Sequence, residues 1–463
     1  MKKEKAADKA EIYKNKKALV VGLGTSGIAA CQALLALGAD VSVQDAKKES
    51  EIDANVLAWL KDQHITCCFG RAPEEIEAFD LIVPSPGVPL QLPFLQQAAA
   101  AGVPLMGELE IAWRLGRGHF AAITGTNGKT TTTSLVGEMF RAGGFDTRVV
   151  GNIGVAVISE AMKADEDTWL ITETSSFQLE TIHDFRPEVS AILNITPDHL
   201  DRHGSLENYS RAKARIFENQ ERGDYVVMNF DDRESFRLAS SARATLVPFS
   251  RKEKLPFGAF VKNDRIVIRN HEEETIDFCG VDELQIPGSH NLENALAATA
   301  IAYFAGVDPQ AVSKALRSFT GVPHRIEYCG TVDGVRYVND SKGTNPDAAI
   351  KAIEAIKGDL ILIAGGYDKD ADFGMLIDAF GTKVRHVVLL GATASKIKIA
   401  AENKGYTHTT IMKDMEDCVR EAARLARPGD TVLLSPACAS WDMYENFEQR
   451  GDHFRQCVEE LER

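Results

Sequence analysis

Short apolar runs of four to six residues alternate with helical patterns along most of the chain, which predicts an α/β fold built on parallel sheets. The strand-like runs include Ala18–Val21, Val41–Gln44, Leu81–Val83, Phe120–Thr124, Trp169–Thr172, Val189–Leu193, Tyr225–Met228, Leu360–Ala364, His386–Leu390 and Thr431–Leu434. Helix signals lie between them. Ser26 to Leu37 is rich in Ala and Leu and stops at Gly38, the residue type that ends helices in a left-handed turn.

A strand–glycine loop–helix unit recurs near residues 20, 124 and 364, which predicts three nucleotide-fold-like units. Irregular stretches at Met106–Gly118 and Phe319–Pro323 separate them. The expected domains are an N-terminal Rossmann-like domain over 1–107, a central P-loop domain with a parallel sheet over 108–321, and a C-terminal Rossmann-like domain over 322–463. The length, 463 residues, suits three domains of roughly 150. In the third, Asp333-Gly334 between Arg325–Gly330 and Val335–Asn339 is a hairpin signal. Residues 230–287, with turns at Asn263-Asp264 and His271–Glu274, read as a β-rich insertion in the central domain.

Composition narrows the classes. With 44% hydrophobic and 26% charged residues, the chain is an ordinary globular one, which excludes disorder and collagen-like repeats. No run approaches the ~18 apolar residues of a membrane span, and the charged start has no apolar core of a secretory signal, so no membrane insertion is expected. The 52 basic and 67 acidic residues leave a net charge of -15, which argues against nucleic acid or anionic membranes as partners. Of eight cysteines only Cys67 and Cys68 are close in sequence, and there is no CxxC. Buried thiols in a reduced cytoplasmic protein fit this better than zinc or disulfides.

The strongest local chemistry is Gly125-Thr126-Asn127-Gly128-Lys129-Thr130, between the strand Phe120–Thr124 and a helix from Thr131 to Arg141. A glycine loop entering a helix aims backbone N–H groups and the positive end of the helix dipole at one point. Lys129 adds a cation for β/γ-phosphates and the Thr130 hydroxyl can reach Mg²⁺. The generic GxxxxGK[ST] pattern is incomplete, because Ile123 stands where its first glycine belongs. Two acidic strand ends follow. Glu173 closes Trp169–Thr172, and Val189–Leu193 runs into Asp198, His199 and Asp201. Ligands of parallel sheets sit at these carboxyl ends, so an acidic residue there, in a P-loop domain, is expected to bind Mg²⁺ directly or through an intervening water. Taken singly, Glu173 reads as a solvated strand end, His199 as a capping or packing residue and Lys213 as a surface helix lysine.

The first unit supports a competing reading. Gly22-Leu23-Gly24-Thr25-Ser26-Gly27 follows a strand and opens a helix, and Asp45 ends the next strand. This is a dinucleotide-binding fingerprint, and an NAD-dependent dehydrogenase would use it. That reading leaves the Gly125–Thr130 loop idle. A P-loop ATPase acting as a regulatory module is a further alternative.

Ten segments, in order, resemble the Mur ligase family of ATP-dependent amide-forming ligases of peptidoglycan synthesis. They are ITGTNGKTTT, GNIG, ETSSFQLE, LNITPDHLDRHGS, the YxxAKxRIF spacing from Tyr209, GSHNLENALAA, PHRIE, NDSKGTNPDA, GGYDKDADF and LLSPACASWDMYENFEQRGDHF. The third and last are most similar to the D-glutamate-adding branch, and the Asp-Asn-Pro-Arg run of the diamino-acid-adding branch is absent. A folylpolyglutamate synthase-like ligase is disfavoured, since such enzymes resemble this family mainly in the last two domains. The resemblance implies that ATP phosphorylates the carboxylate of UDP-N-acetylmuramoyl-L-alanine and that the amine of D-glutamate captures the acyl phosphate. Domain closure would exclude water. It assigns Gly125, Thr126, Asn127, Gly128, Lys129, Thr130, Thr131, Asn294, Arg325, Asp340 and Lys342 to ATP. Thr25, Ser26, Asp45, Lys47, Ser85, Gly87 and Asn152 fall to the UDP-sugar, and Thr344, Lys369, Ser440 and Phe447 to D-glutamate.

Two Mg²⁺ sites are implied, one at Thr130 and Glu173, the other at His199 and Lys213, with Lys129, His199 and Lys213 as the catalytic set. An ammonium ~5 Å from Mg²⁺ is repelled by roughly 6–7 kcal/mol at an effective dielectric of ~20. In the family a CO₂-derived carbamate on the lysine reverses that sign, so Lys213 is expected to be carbamylated. A cytoplasmic monomer is expected.

Overall fold

The computed structural model describes residues 11–115, 118–286, 288–368 and 371–461. All ten strand-like runs form strands, most lengthened by a residue at one or both ends. Three sheets result, distributed over two compact units: Met1–Leu284 with Glu293–Ser318, and Gln285–Leu292 with Phe319–Arg463.

The first unit holds two sheets. One is fully parallel, in the order Thr66–Phe69, Asp40–Asp45, Lys17–Val21, Leu81–Pro84. Its chain order reverses at Lys17–Val21, so the glycine loop after Val21 and the loop after Pro84 open on one crevice. The helix Thr25–Ala36 crosses one face, and Gly38 takes the left-handed conformation that ends it (φ 78°).

The other sheet has nine strands. Its parallel part places His119–Thr124 between Trp169–Glu173 and Val189–Ile192, again at the point where the order reverses. Residues 230–287 differ from the expected insertion, and the sheet from the purely parallel one expected. Thr245–Ser250 and Gly258–Lys262 continue the parallel sheet, then Arg265–Arg269 and Thr275–Gly280 extend it antiparallel. The Asn263-Asp264 turn (φ 51° and 57°) makes the first hairpin, as its residue types allow.

One hydrophobic core spans both sheets of this unit, from Val20, Leu34 and Val83 to Phe120, Leu170 and Ile192. The helix Glu108–Leu115 lies between them in sequence and is pinned by two buried carboxylates. Glu110 accepts hydrogen bonds from the backbone N–H groups of His183 (2.8 Å), Asp184 (3.0 Å) and Phe185 (3.0 Å) and from the Arg114 guanidinium (2.6 Å). Glu108 accepts from Ile158 N–H at the start of the helix Val157–Ala161, and its Oε2 is buried without a hydrogen-bond partner.

The second unit carries a six-stranded sheet in the order Glu327–Val332, Val335–Asn339, Thr431–Leu434, Leu360–Ala364, Val384–Leu389, Thr409–Ile411. Only the first pair is antiparallel, joined by Asp333-Gly334 with both φ positive (49° and 78°), as the hairpin signal required. Separate cores cover its two faces. All eight cysteines are free, and five of them are buried. Among the described residues no helix is long and apolar enough to cross a membrane.

Burial pushes the Glu108 carboxyl up to about 7, against the opposing pull of the Ile158 and Val157 N–H groups. A carboxyl raised on folding contributes stability that is full below its unfolded value near 4.5 and lost as pH rises through about 7. Glu108→Gln should therefore flatten the pH dependence of urea unfolding over that window. It should gain up to about 3 kcal/mol on the wild type at pH 8 relative to pH 4.5. Parallel pH profiles for the two proteins would refute the assignment.

Candidate active site

The crevice at the end of the four-stranded sheet is a cavity of about 610 Å³. Thr25, Ser26, Asp45, Lys47, Ser85, Gly87 and Asn152 all line it, so the seven residues assigned to the UDP-sugar meet in one place. Its floor is the start of the helix Thr25–Ala36, where Gly24 makes no side-chain capping bond. Gly27 is what lets that helix approach so closely. A Cβ there would stand 2.8 Å from Ser85 Oγ and nearer still to the Gly22 carbonyl. Asp45 is oriented by two backbone donors, Leu23 N–H (2.8 Å) and Lys47 N–H (2.9 Å), and Ser85 Oγ donates to the Gly22 carbonyl (2.8 Å). The far wall comes from the chain at and after two strands of the nine-stranded sheet: Gly151, Asn152, Gly154 and Ala156 after Thr147–Gly151, and Gln178 after Trp169–Glu173.

Asn152 links this cavity to the phosphate loop. Its Nδ2 donates to Glu173 Oε1 (2.9 Å), at the end of the strand next to His119–Thr124. Glu173 is 1% exposed, and its Oε2 is buried without a hydrogen-bond partner. The solvated strand-end carboxylate expected from Glu173 taken singly is thus overturned, because the neighbouring strands cover it on both sides.

The loop itself runs through Gly125 (φ 156°) and Gly128 (φ 83°) into the helix Lys129–Ala142. Lys129 Nζ turns back onto the Gly125 and Thr126 carbonyls (2.9 and 2.8 Å). Thr130 is buried, and the Thr131 and Thr132 hydroxyls are buried without partners. A segment that sequence reasoning did not single out for this purpose braces the loop. Asn194 Oδ1 accepts from Asn127 N–H (2.9 Å), its Nδ2 donates to the Asn127 carbonyl (3.1 Å), and Thr196 exchanges hydrogen bonds with Thr126 Oγ1 (3.0 and 3.1 Å). Asn294 packs on Gly128 so closely that any Cβ at 128 would collide with Oδ1.

Lys213 is buried as well, which overturns its reading as a surface lysine. The helix Leu206–Ala214 turns it inward beneath the loop, with Nζ 2.9 Å from the Gly125 carbonyl, 3.4 Å from Thr124 Oγ1 and 4.5 Å from the centre of the Tyr209 ring. Burial first, then the nearby Lys129 charge, hold its amine well below the usual lysine range, with Asp198 and Glu173 opposing. His199 sits in a left-handed conformation (φ 52°), half exposed, with its ring 4.9 Å from Phe177 and its Nε2 3.7 Å from Asp198 Oδ2.

Among the described residues no group of three or more His, Cys, Asp or Glu could hold a metal ion by itself. The buried, unpartnered Glu173 Oε2 fits a hard cation that takes its remaining ligands from water and phosphate, as Mg²⁺ does.

In the second unit, Asp340 follows the strand Val335–Asn339. Burial pushes its carboxyl up to about 6, with the Arg325 charge opposing, and Ser435 Oγ donates to it (2.7 Å). Arg325 Nε is buried without a hydrogen bond, in a turn where His324 and Ile326 both have positive φ (63° and 47°). Lys342 Nζ lies 5.0 Å over the Phe447 ring, and Thr344 N–H donates to the Lys342 carbonyl (2.9 Å). Ser440 is buried, and Lys369 lies outside the described residues. Arg450 was missed. It is 1% exposed and donates to Ser341 Oγ and carbonyl and to the Cys438 and Ala439 carbonyls (2.7–3.1 Å), clamping the turn before Lys342 to the segment before Ser440. A lone arginine in a helix offers no sequence signal for that.

Family models match in three stretches: a MurD-like N-terminal domain of Mur ligases over 16–107, the Mur ligase middle domain over 123–302, and the Mur ligase glutamate ligase domain over 324–438. UDP-N-acetylmuramoylalanine--D-glutamate ligase of Alkaliphilus oremlandii is 49% identical over 455 residues, covering 97% of this chain and 99% of its own. The chain belongs to the Mur ligase family. The enzyme of the same name from Clostridioides difficile is 48% identical over 450 residues, at 97% and 99% coverage. Among solved structures, UDP-N-acetylmuramate-alanine ligase of Thermotoga maritima superposes with a TM-score of 0.58 at 20% identity, over 96% of this chain and 99% of that one. The MurF ligase of Thermotoga maritima in complex with ADP gives 0.56 at 15% identity and 97% coverage of both chains. The three-domain α/β fold is thus that of Mur ligases, and the glycine fingerprint of the first domain belongs to this family.

At Gly128, a left-handed φ and the Asn294 contact both exclude a side chain. Gly128→Ala should lower ATP-dependent turnover by about 100-fold or more, because it displaces the N–H groups of the loop. It should leave intact the rise in Tm caused by UDP, measured by thermal shift. Retained turnover would show that the loop tolerates a Cβ and does not hold phosphate closely.

Proposed function

We propose that this Mur ligase uses ATP to join D-glutamate to the carboxylate of UDP-N-acetylmuramoyl-L-alanine, as a cytoplasmic monomer in peptidoglycan precursor synthesis. The observation that carries the reading is the Asn152–Glu173 hydrogen bond, at the junction of the UDP-type cavity and the phosphate loop. A nucleotide sugar anchored by its diphosphate at Thr25 and Ser26 then extends past Asn152 toward the loop. The relatives at 48–49% identity over nearly the whole chain carry the name of that reaction.

The γ-phosphoryl group of ATP passes to the substrate carboxylate, giving an acyl phosphate and ADP. The amine of D-glutamate attacks the acyl carbon, and the tetrahedral adduct expels phosphate to leave the amide. In the first step two anions must meet, so the charge on the γ-phosphate has to be offset. The backbone N–H groups of Gly125 to Thr131 receive the phosphates. Lys129 exchanges its Gly125 and Thr126 carbonyl partners for phosphate oxygens. Thr130 and Glu173 would hold one Mg²⁺, and His199 with Lys213 a second, the bound ions supplying charge neutralisation. Lys213 is suited to carbamylation because burial, and then the Lys129 charge, favour the uncharged form of its amine. In its uncharged form Nζ adds to the carbon of CO₂ and gives up a proton to solvent, which leaves an N-carboxylate in place of an ammonium. Asn294, Arg325, Asp340 and Lys342 serve ATP. Thr344, Lys369, Ser440 and Phe447 serve D-glutamate, whose carboxylates call for a cation such as Lys369.

Phosphate release measured with UDP-N-acetylmuramoyl-L-alanine and each of D-glutamate, L-glutamate, L-alanine and L-lysine should be fastest with D-glutamate. A higher rate with any of the others would reassign the acceptor. Lys213→Ala should lose activity and regain part of it when short carboxylic acids are added. Full activity without them would remove the carbamate from the mechanism.

A further inference from the structure

Arg202 lies three residues after His199, in the short helix Leu200–His203, and its guanidinium reaches across to the four-stranded-sheet domain. Nη2 donates to the Val88 carbonyl (2.9 Å) and Nη1 makes a longer contact to the Gly87 carbonyl (3.5 Å). Gly87 and Val88 belong to the loop that follows the strand Leu81–Pro84 and lines the UDP-type cavity. Nη2 also donates to Glu180 Oε2 (2.8 Å), and the guanidinium lies 5.0 Å over the Phe177 ring. Its side chain is 12% exposed, so these bonds form with little competition from water.

The partners of Arg202 lead straight back to the candidate catalytic residues. Glu180 Oε1 lies 3.5 Å from His203 Nδ1, and His203 Nε2 is 3.0 Å from Ser176 Oγ. Phe177 stacks on the His203 ring at 5.5 Å and meets the His199 ring edge-on at 4.9 Å. One guanidinium therefore ties the cavity loop, the segment after Glu173 and the segment carrying His199 into a single arrangement. Arg202 itself is not among the residues lining the cavity.

We infer that Arg202, with Glu180, is a positioning residue: it fixes the distance between the UDP end of the substrate and the His199 end of the reaction centre. The inference rests on the ligase reading above. A nucleotide sugar held at one end delivers its carboxylate correctly only if the two loops keep their spacing, and an error near 1 Å in such placement costs on the order of 100-fold in rate. Val88 and Gly87 offer carbonyls, which a planar guanidinium can bridge together with a carboxylate, whereas an ammonium can do so only in part.

The test uses the full-length protein and three variants: Arg202→Met, which keeps an apolar stem against Phe177, Arg202→Lys and Glu180→Gln. In Arg202→Met, the affinity for UDP by calorimetry should stay within about twofold of wild type. Its kcat should fall by about 30-fold or more, and the Mg²⁺ concentration for half-maximal rate should rise about tenfold. Arg202→Lys should lie between Met and wild type. Glu180→Gln, which leaves the arginine in place, should show the same split between UDP affinity and kcat, so that a poorly folding Met variant does not decide the matter. Unchanged kcat and Mg²⁺ demand in both Arg202→Met and Glu180→Gln would overturn the inference. So would a loss of UDP affinity in step with a fall in Tm, which would make Arg202 a fold-holding residue only. An inactive wild type would instead sink the ligase reading itself.

Discussion

Glu173 gives one carboxylate oxygen to Asn152 and keeps the other, buried, with no hydrogen bond. A carboxylate oxygen in that state is costly, because burial removes the water that solvated it and no donor replaces that water. The arrangement survives because rigid strand ends enforce it. Gly151 comes so near the Glu173 backbone that a Cβ would strike its carbonyl, so the cavity wall and the acidic strand end are held as one piece. The cavity, the phosphate loop and the buried lysine are all placed with respect to that one carboxylate.

Much of the frame was legible in the chain because its signals are local. Strands such as Leu360–Ala364 are continuous apolar runs, and Asp333-Gly334 can hardly be anything but a hairpin turn. The strands Thr66–Phe69 and Thr147–Gly151 escaped because both mix polar with apolar residues, the first at a sheet edge and only half covered. The site residues divide in the same way. Gly125 to Thr130 could be read from the loop chemistry, and the cavity residues from the glycine fingerprint and the family resemblance. The burial of Lys213 could not, since nothing in the helix Leu206–Ala214 says which face meets the loop. Asn194, Arg202 and Arg450 act on backbone atoms distant in sequence, and a single sequence holds no trace of such pairs.

Two buried charges do comparable work in different units. Glu110 collects three consecutive N–H groups at His183–Phe185, and Arg450 collects carbonyls from Ser341, Cys438 and Ala439. Neither hydrogen-bonds to the residues assigned to substrates, and each holds a stretch of irregular chain: 183–185 in the first unit, and in the second the segment leading to Ser440. A charged group can do this where a neutral one cannot, because each of its hydrogen bonds is strengthened by a full charge in a medium of low dielectric.

The inward turn of Lys129 carries a consequence for how nucleotide enters. The loop is already closed on itself, with the ammonium seated on the Gly125 and Thr126 carbonyls and the turn held from behind by Asn194 and Thr196. If the loop takes a triphosphate, as proposed above, the ligand would meet a finished cradle in which the Lys129 side chain has to change acceptors. Recognition of this kind would carry little of the entropy penalty of ordering a disordered segment, and selectivity for phosphate would then be built during folding and collected at binding.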